Sequence, residues 1–127
     1  MIRDTWEVEY TDEFERWWDA LPETAQDAVS ATVSLLERFG PHLGFPHSSQ
    51  IRGSRLGNLR ELRVQESGSP LRVLYAFDPR RTAVLLLGGD KTGDDRWYHV
   101  HVPIAERLYD VHLSELREEG GDGEEIP

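Results

Sequence analysis

Three apolar segments of strand length lie close together between residues 58 and 88, and they constrain the fold more than any other feature of the sequence. They run from Asn58 to Glu66, Leu71 to Asp78 and Thr82 to Gly88, and the turn-forming sequences SGSP and DPRR join them. Because such short connections join strands that run in opposite directions, the segments predict an antiparallel meander. A chain of 127 residues holds one domain built around this core.

The region before the meander predicts a strand and two helices. A half-buried first strand is indicated by the apolar residues that alternate with glutamates, which are Trp6, Val8 and Tyr10. Asp12, with Glu15 three residues later, is typical of a helix N-terminus. Pro22 suits the first position of a second helix, which the sequence Gly40-Pro41 should end.

The remaining segments predict a loop, a last helix and a tail. Residues 41–57 contain two prolines and three glycines without a sustained period, so we expect a long irregular connection. Pro103 is expected to open the last helix, after a polar and aromatic segment. Residues 118–127 form an acidic, glycine-rich tail that is expected to be disordered, with residues 1–117 as the folded domain. The apolar face of the last helix would consist of Ile104, Leu108, Val111 and Leu116.

These elements follow the order β-α-α-β-β-β-α. The predicted fold class is α+β, a small antiparallel sheet covered by an N-terminal helical hairpin and a C-terminal helix. The chain contains no cysteine, which excludes disulfides, thiolate chemistry and zinc sites built on cysteine. No segment resembles a signal peptide or a membrane span, so we expect a cytoplasmic protein without membrane contact.

The charge is distributed unevenly along the chain. The formal net charge is -10, which argues against a protein that binds phosphate backbones over its whole surface. Residues 1–37 hold 10 acids and 2 bases, residues 38–107 hold 7 acids and 11 bases, and residues 108–127 hold 7 acids and 1 base. A basic middle therefore lies between two acidic ends, and all but one of its bases are arginines, which suit bidentate contacts to phosphate. The alternative is an ordinary solvated surface.

Two arginines are expected to face each other across the first hairpin of the meander. With the turn centred near Gly68, Arg63 and Arg72 lie almost opposite, on the face that Leu62 does not occupy. Like charges opposite each other are unfavourable unless an anion lies between them, so the pair is a candidate phosphate site. The alternative is a surface salt-bridge ladder in which Glu61 or Glu66 neutralises the pair.

A second group of candidate residues follows the last strand of the meander. Lys91 comes directly after Gly88-Gly89-Asp90, where glycines would let the backbone approach a ligand, although no nucleotide-binding motif is present. Aromatic rings near cationic side chains are typical of sites that stack unpaired bases, and imidazole transfers protons at neutral pH. The side chains of these types are Trp97, Tyr98, His99 and His101.

These residues also allow two less specific interpretations. Trp97 and Tyr98 could simply close the edge of the core. On an extended segment His99 and His101 would point the same way, and a metal site would then need a third ligand. The residues that could supply it are His42, His47 and Asp94.

Several stretches of the sequence resemble the HigB-like, phage-derived branch of the RelE/ParE toxin superfamily. They are LLERFGPHLGFPHSSQIRGSRLGNLRELRV, LRVLYAFDPRRTAVLLLGGDKTG and VPIAERLYDVHL. The combination of GPHLGFPHS, ELR, an arginine before LYAFDP and a lysine after the last strand carries the resemblance. It implies the RelE-like fold and the toxin half of a type II toxin–antitoxin system, which in this superfamily is mostly an mRNA endonuclease that acts on the ribosome and inhibits translation.

The resemblance also implies roles for individual residues. Arg63 and Arg72 match the basic sheet positions of the family, and Lys91 matches the lysine after the last strand, where the family usually shows two adjacent lysines. Cleavage by a ribose 2′-OH needs a base, an acid and cations, and no metal or other cofactor. The expected catalytic residues are Arg63, Arg72, Lys91, His99 and His101, and the expected RNA-binding residues are Arg52, Arg55, Arg60, Arg80, Arg81, Trp97 and Tyr98.

The partners expected from the resemblance are the ribosome, mRNA and a cognate HigA-like antitoxin with a helix-turn-helix domain. We see no DNA-reading helix in this chain, so contact with operator DNA is assigned to the antitoxin. Two alternatives stay open. One is a ParE-like gyrase poison without catalytic activity, and the other is a non-toxic relative that binds the antitoxin, which the single lysine and the high acidity favour.

Overall fold

The computed structural model describes the backbone of residues 5–124 and the side chains of residues 5–119. A five-stranded sheet is covered by helices on both faces. The elements in chain order are β1 (Val8–Tyr10), α1 (Asp12–Asp19), α2 (Glu23–Phe39), a short 3₁₀ turn (Gly40–His42), β2 (Ser48–Gln50), β3 (Arg60–Glu66), β4 (Ser69–Phe77), β5 (Ala83–Asp90) and α3 (Trp97–Glu124). The predicted α+β class is confirmed.

The sheet order is β1-β5-β4-β3-β2. Strands β3, β4 and β5 form the predicted antiparallel meander, and β2 pairs antiparallel with β3. The prediction of a purely antiparallel sheet is wrong, because β1 pairs parallel with β5. The helical hairpin between β1 and β2 carries the chain from one edge of the sheet to the other, and this long connection allows the parallel pairing.

Two hydrophobic clusters hold the layers together. Helices α1 and α2 pack on one face through residues such as Phe14, Val29 and Leu36. Helix α3 packs on the other face through Trp97, Ala105 and Tyr109. The two faces of the sheet therefore pack against different helices. The arginine pair of the meander lies on the face that α3 covers.

Three predictions about the N-terminal half need correction. Thr11 caps α1 instead of Asp12, because its hydroxyl accepts a hydrogen bond from the Phe14 N–H at 3.0 Å. Pro22 precedes α2 as its N-cap residue and is not its first helical residue. The predicted irregular connection 41–57 contains strand β2, which is too short to show a period and forms because it pairs with the outer edge of β3.

The last helix also differs from its prediction. It begins at Trp97, so Pro103 lies inside it and does not open it. The packing of Trp97 against the sheet favours this early start, although the proline removes one helical hydrogen bond. Its buried face carries Ala105 and Tyr109, whereas Val111 is 54% exposed.

Helix α3 continues into the acidic tail. It reaches Glu124, so residues 118–124 are helical where the sequence predicts disorder. Extending a formed helix costs no new nucleation, which explains why weakly helical residues follow the packed part. Residues 125–127 lie outside the described residues, and the domain boundary at residue 117 stays a prediction.

Candidate functional site

A cleft of about 650 Å³ lies on the α3 face of the sheet, between β3, the loop that follows β2, and the first turns of α3. Polar and charged side chains line much of it, among them Arg52, Glu61, Tyr98, His99 and Glu106. The cleft thus combines the edge of the sheet with the start of the helix. It contains Tyr98 and His99, which belong to the second group that the sequence singles out.

The predicted arginine pair lies beside this cleft. Arg63 and Arg72 are direct partners in the β3–β4 ladder, as the short turn predicts. Glu61 lies between them, and its carboxylate is 3.2 Å from Arg63 Nη1 and 3.4 Å from Arg72 Nε. The structure therefore shows the alternative in which a glutamate neutralises the two arginines, and that glutamate is Glu61 and not Glu66. It is no surface ladder, because the side chains of Glu61 and Arg72 are only 6% and 7% exposed.

Tyr98 completes a buried hydrogen-bond network around Glu61. Its hydroxyl donates to Glu61 Oε1 at 2.6 Å and accepts from Arg72 Nε at 3.3 Å. Burial raises the pKa of the Tyr98 hydroxyl above its ordinary value, and the hydrogen bond to Glu61 raises it further. Tyr98 is therefore a protonated donor at neutral pH. Ser49 of β2 donates to the second Glu61 oxygen at 2.7 Å.

Two further side chains extend the site toward solvent. The ammonium of Lys91 lies 5.9 Å from the centre of the Tyr98 ring, and the backbone N–H of Lys91 is held by the Pro70 carbonyl at 3.1 Å. Phe45, 76% exposed, lies 5.2 Å from the Arg63 guanidinium in cation–π geometry. An exposed ring beside a cation is suited to stack on a nucleic-acid base.

The two histidines occupy different places because they lie on a helix and not on an extended segment. His99 is exposed and lines the cleft. His101 turns away from it, stacks on Trp97 at 4.4 Å between ring centres, and its Nδ1 lies 2.8 Å from the Trp97 carbonyl oxygen. The parallel orientation that a shared metal site would need is therefore absent. Within residues 5–119 no group of three or more His, Asp or Glu side chains is placed to hold a metal ion.

Trp97 has the structural role that the sequence left as its alternative. It is 2% exposed and packs in the core of the α3 face. A Cβ on Gly89 would lie 2.7 Å from its ring, and a Cβ on Gly88 would lie 2.2 Å from the ring of Trp17 on the opposite face. The two glycines let tryptophans approach the sheet, and the prediction that they open the backbone to a ligand is wrong.

The other arginines are dispersed. Arg52 lines the cleft. Arg55 binds Asp110 and Glu106 of α3, and its pKa is raised chiefly by the hydrogen bond to Asp110. Arg60 lies on the opposite face of β3 from Arg63 and donates to Ser48 Oγ at 3.2 Å.

Arg80 and Arg81 lie at the far end of the β4–β5 hairpin, about 20 Å along the strands from Arg72 at about 3.3 Å per residue. Arg80 is held there by Glu9 and Asp78, each at 2.7 Å. The structure thus separates these two arginines from the cleft.

Sequence reasoning named Glu61 as a possible neutralising partner of the arginine pair but not as a site residue, and it missed the contributions of Ser49 and Phe45. Glu61 carries a usable signal, because it shares the strand face of Arg63 two residues later. Ser49 and Phe45 belong to the segment predicted to be irregular, so no periodicity could place them. Their proximity depends on the pairing of β2 with β3.

This arrangement can bind and polarise an anionic substrate. Arg63 and Lys91 are half-buried cations beside the cleft, and Arg72 is a buried cation next to Glu61. Glu61 can accept a proton, while Tyr98 and His99 can supply one.

Among the described residues, none of the helices has the length and the apolar composition that a membrane span needs.

Residues 16–110 match the family described as phage-derived protein Gp49-like (DUF891). A Mycobacterium tuberculosis protein named as toxin HigB3 is 44% identical over 108 residues, which cover 84% of this chain and 91% of that protein. A second protein of that organism, named as toxin HigB2, is 36% identical over 116 residues, and the match covers 87% of this chain and 58% of that longer protein.

Two solved structures share the fold. The toxin–antitoxin complex RelBE2 from Mycobacterium tuberculosis matches with a TM-score of 0.52 and 23% identity, over 68% of this chain and 98% of that chain. The archaeal RelE–RelB complex from Pyrococcus horikoshii matches with a TM-score of 0.52 and 15% identity, over 68% and 96% of the two chains. At these identities the likeness shows the fold.

The chain has the α+β fold of the RelE structures that it matches. The chain belongs to the phage-derived Gp49-like family, and it is a HigB-like toxin, the toxin component of a toxin–antitoxin system.

Proposed function

We propose that this toxin is a ribosome-dependent mRNA endonuclease that inhibits translation. The observation that carries the proposal is that Arg63, Arg72 and Lys91 lie beside the cleft, next to Glu61 and Tyr98, which are groups able to transfer protons. When a ribose 2′-hydroxyl of RNA attacks the adjacent phosphate, the reaction needs cations and groups that transfer protons, and little else.

The proposed chemistry assigns a step to each side of the cleft. The ribose 2′-OH gives its proton to Glu61, and its oxygen attacks the adjacent phosphorus. The bond from phosphorus to the 5′-oxygen breaks, and that oxygen takes a proton from His99 or Tyr98. Arg63 and Lys91 stabilise the charge that accumulates on the phosphate oxygens. The products are a 2′,3′-cyclic phosphate and a free 5′-hydroxyl.

The pairing of Glu61 with both arginines explains why the ribosome would be needed. A phosphate that enters the cleft competes with a carboxylate that already accepts hydrogen bonds from Arg63 and Tyr98. Free RNA therefore binds weakly, and a message that the ribosome holds in position loses less entropy on reaching the same geometry. The net charge of -10 acts in the same direction.

Replacing Arg63 by alanine tests the proposal. The side chain of Arg63 is 31% exposed, so the variant should fold normally but lose growth inhibition and cleavage of mRNA on purified ribosomes. Arg16→Ala is the matched control, because it removes the same charge from a 71% exposed side chain on α1, on the other face of the sheet. Toxicity of Arg63→Ala at the wild-type level would remove the sheet arginines from the mechanism.

The same purified proteins separate the alternatives. Inhibition of gyrase supercoiling without RNA cleavage would favour the ParE-like poison. Expression without growth arrest, by a wild-type chain that binds its antitoxin, would favour the non-toxic relative.

The proposed partners are the ribosome, mRNA and a helix-turn-helix antitoxin encoded beside this gene. Operator DNA is bound only through that antitoxin, and the proposed location of the protein is the cytoplasm. Solved relatives of the same fold are complexes of toxin with antitoxin, which supports the antitoxin. Co-expression with the product of the adjacent reading frame should restore growth and give a stable complex. Purification from the native host without a small companion protein would contradict this.

A further inference from the structure

We propose that the cleft binds the unpaired base of the RNA nucleotide that follows the cleaved bond, and that the backbone of Gln50 holds this base through hydrogen bonds. This inference rests on the proposed endonuclease function and deepens it, because it names the part of the substrate that enters the cleft. The proposed chemistry uses only one end of the cleft, where Glu61, Tyr98 and His99 lie. The other end is formed by the loop after β2 and the next turn of α3.

The cleft extends along the edge of the sheet away from the arginine pair. The Ile51 N–H donates to the Leu59 carbonyl at 3.0 Å, which places Ile51 two residues to one side of Glu61 along β3, while Arg63 lies two residues to the other side. At about 3.4 Å per residue, Ile51 is about 7 Å along the strand from Glu61. An RNA chain whose phosphate lies between Glu61 and Arg63 therefore meets the cleft on one side only.

The positions of the proton donors decide which nucleotide lies on that side. The proposed mechanism takes the proton for the leaving 5′-oxygen from His99 or Tyr98, and both side chains line the cleft. The nucleotide that carries this oxygen is the one 3′ of the cleaved bond. Phe45 lies beside Arg63, outside the cleft, where it can contact the preceding nucleotide. The base that enters the cleft is therefore the one that follows the cut.

The inner end of the cleft has the size and the surface that a base needs. Its volume of about 650 Å³ lies within the range of about 300–1,000 Å³ that is usual for small-ligand sites. One wall is apolar and consists of Ile51, Val102 and Pro103. A flat, neutral aromatic ring can pack on such a wall.

The backbone of Gln50 adds two hydrogen-bonding groups to this end. Ser49 pairs with Glu61, and the Ile51 N–H bonds to Leu59, so these two residues face β3 and the N–H and C=O of Gln50 point away from it. Among the described residues no strand lies beyond β2, and neither of the two Gln50 groups has a hydrogen-bond partner. Because Gln50 lines the cleft, both groups are available to a ligand there.

These groups select an unpaired base. Each RNA base carries a hydrogen-bond acceptor next to a donor on its Watson–Crick edge, which matches the N–H and C=O of one residue, and in a paired base this edge is already used. A phosphate fits less well, because Glu61 and Glu106 also line the cleft and would repel it.

Arg52 is placed to hold the phosphate that follows this base. The loop that carries it is fixed to α3, because the Ser54 hydroxyl and the Arg55 N–H donate to Glu106 at 2.7 Å and 3.0 Å. Arg52 is exposed and lines the cleft, and in the described part of the chain no carboxylate pairs with its guanidinium. A free arginine at the end of a base-sized cleft suits a phosphate contact.

The first test removes the base from the substrate. The substrates are two mRNAs on purified ribosomes, one intact and one with an abasic nucleotide directly 3′ of the mapped cut. We expect wild type to cleave the intact message with a kcat/KM about tenfold higher or more. The ribosome itself could also require the base, so this ratio is compared between variants of the toxin.

Gln50→Pro should lower the ratio to about threefold or less, because it removes the outward N–H and no bond to β3. Tyr10→Pro is the matched control. Its N–H also points outward from an edge strand, since Thr11 and not Tyr10 bonds to Leu85, but β1 lies at the opposite edge of the sheet. It should keep the wild-type ratio, and melting temperatures show that both variants fold.

Two further variants test the cleft without changing the backbone. Val102→Ser removes methyl groups from the apolar wall and should lower the ratio about twofold or more, whereas Val111→Ser, on the same helix but outside the cleft, should keep it. Arg52→Ala should raise KM for the intact message about fivefold and change kcat less than about twofold. Arg16→Ala should leave both constants unchanged.

The outcomes distinguish this proposal from the function it rests on. If wild type cleaves the intact and abasic messages equally, or if folded Gln50→Pro and Val102→Ser keep the wild-type ratio, the cleft does not hold the base, while the endonuclease function stands. If wild type cleaves no mRNA on ribosomes, the proposed function is wrong, and this inference is overturned with it.

Discussion

Glu61 shows how one residue fixes the character of the candidate site. Its two oxygens accept hydrogen bonds from Ser49, Arg63 and Tyr98, and Arg72 lies within ion-pair distance. A buried charge of this kind is tolerated only when its partners are all present. Among the described residues no buried side-chain nitrogen or oxygen lacks a hydrogen-bond partner. The network is therefore complete in the free protein, and a substrate has to rearrange it.

Removing Glu61 should destabilise the fold as well as the site. Glu61→Ala leaves the Arg72 guanidinium buried without its carboxylate, which we expect to lower the free energy of unfolding by about 3–5 kcal/mol. Glu66→Ala, a half-buried glutamate on the same strand, should cost less than about 0.5 kcal/mol. Urea denaturation followed by tryptophan fluorescence measures both. Equal stability of the two variants would show that Glu61 does not hold Arg72 in place.

The lowered pKa of Asp78 predicts how the stability of the folded protein depends on pH. Burial by itself raises the pKa of this carboxyl group, but hydrogen bonds from Arg80, His112 and the Thr82 N–H outweigh it, so the pKa is lowered. A carboxyl group whose pKa is lower in the folded state stabilises the protein above its unfolded pKa of about 3.9, and this contribution is lost as the pH falls below it.

Thermal unfolding of wild type and Asp78→Asn between pH 8 and pH 3 checks this. The difference in the free energy of unfolding between the two should stay constant above about pH 5 and shrink below about pH 4. A difference that does not change over this range would contradict the role given to Asp78.

At the scale of elements, β5 is the strand on which both helical layers depend. Trp17 of α1 and Trp97 of α3 reach its two faces at adjacent glycines, where no larger residue fits. The sequence shows the glycine pair but not the rings that pack on it, because those rings come from segments far away in the chain. The same distance explains why β2 and the start of α3 were mispredicted.

Gly88→Ala should therefore destabilise the packing of α1 on the sheet. Its Cβ would lie 2.2 Å from the Trp17 ring, an overpacking that costs about 1–3 kcal/mol and should shift the fluorescence of that tryptophan. Gly57→Ala, where a Cβ meets no atom within 4 Å, is the control and should change stability by less than about 0.5 kcal/mol. Indistinguishable melting temperatures would contradict the close packing of Trp17.

At the scale of the whole molecule, the acidic N-terminal segment and the candidate site lie in different parts of the fold. The acidic N-terminal segment builds β1, α1 and α2, while the cleft lies on the α3 face beyond β5 and β4. The basic middle of the sequence is not one basic surface, because Arg60 lies on the opposite face, and Arg80 and Arg81 lie at the far end of the hairpin. The resulting cationic area is small, and Glu61 and Glu106 lie in the cleft beside it.

The acidic C-terminal segment should keep this area away from bulk RNA. Replacing Glu118, Glu119, Glu124 and Glu125 by glutamine changes the formal charge from -10 to -6, and non-specific RNA affinity should rise severalfold at low salt. Raising the salt concentration should remove the difference, since screening acts over about 10 Å at 0.1 M. Filter binding to an unstructured RNA measures the effect. Unchanged affinity at low salt would count against a role for the tail.

The sequence by itself determined the features that depend on neighbours along the chain. Short turns fixed the meander and placed Arg63 opposite Arg72, and helix signals fixed the hairpin of α1 and α2. Tertiary structure decided the rest, because the parallel pairing of β1, the edge strand β2, the orientation of His99 away from His101 and the convergence of Ser49, Glu61 and Tyr98 all depend on contacts between distant segments. Local patterns record which face a residue occupies, but only packing decides what that face meets.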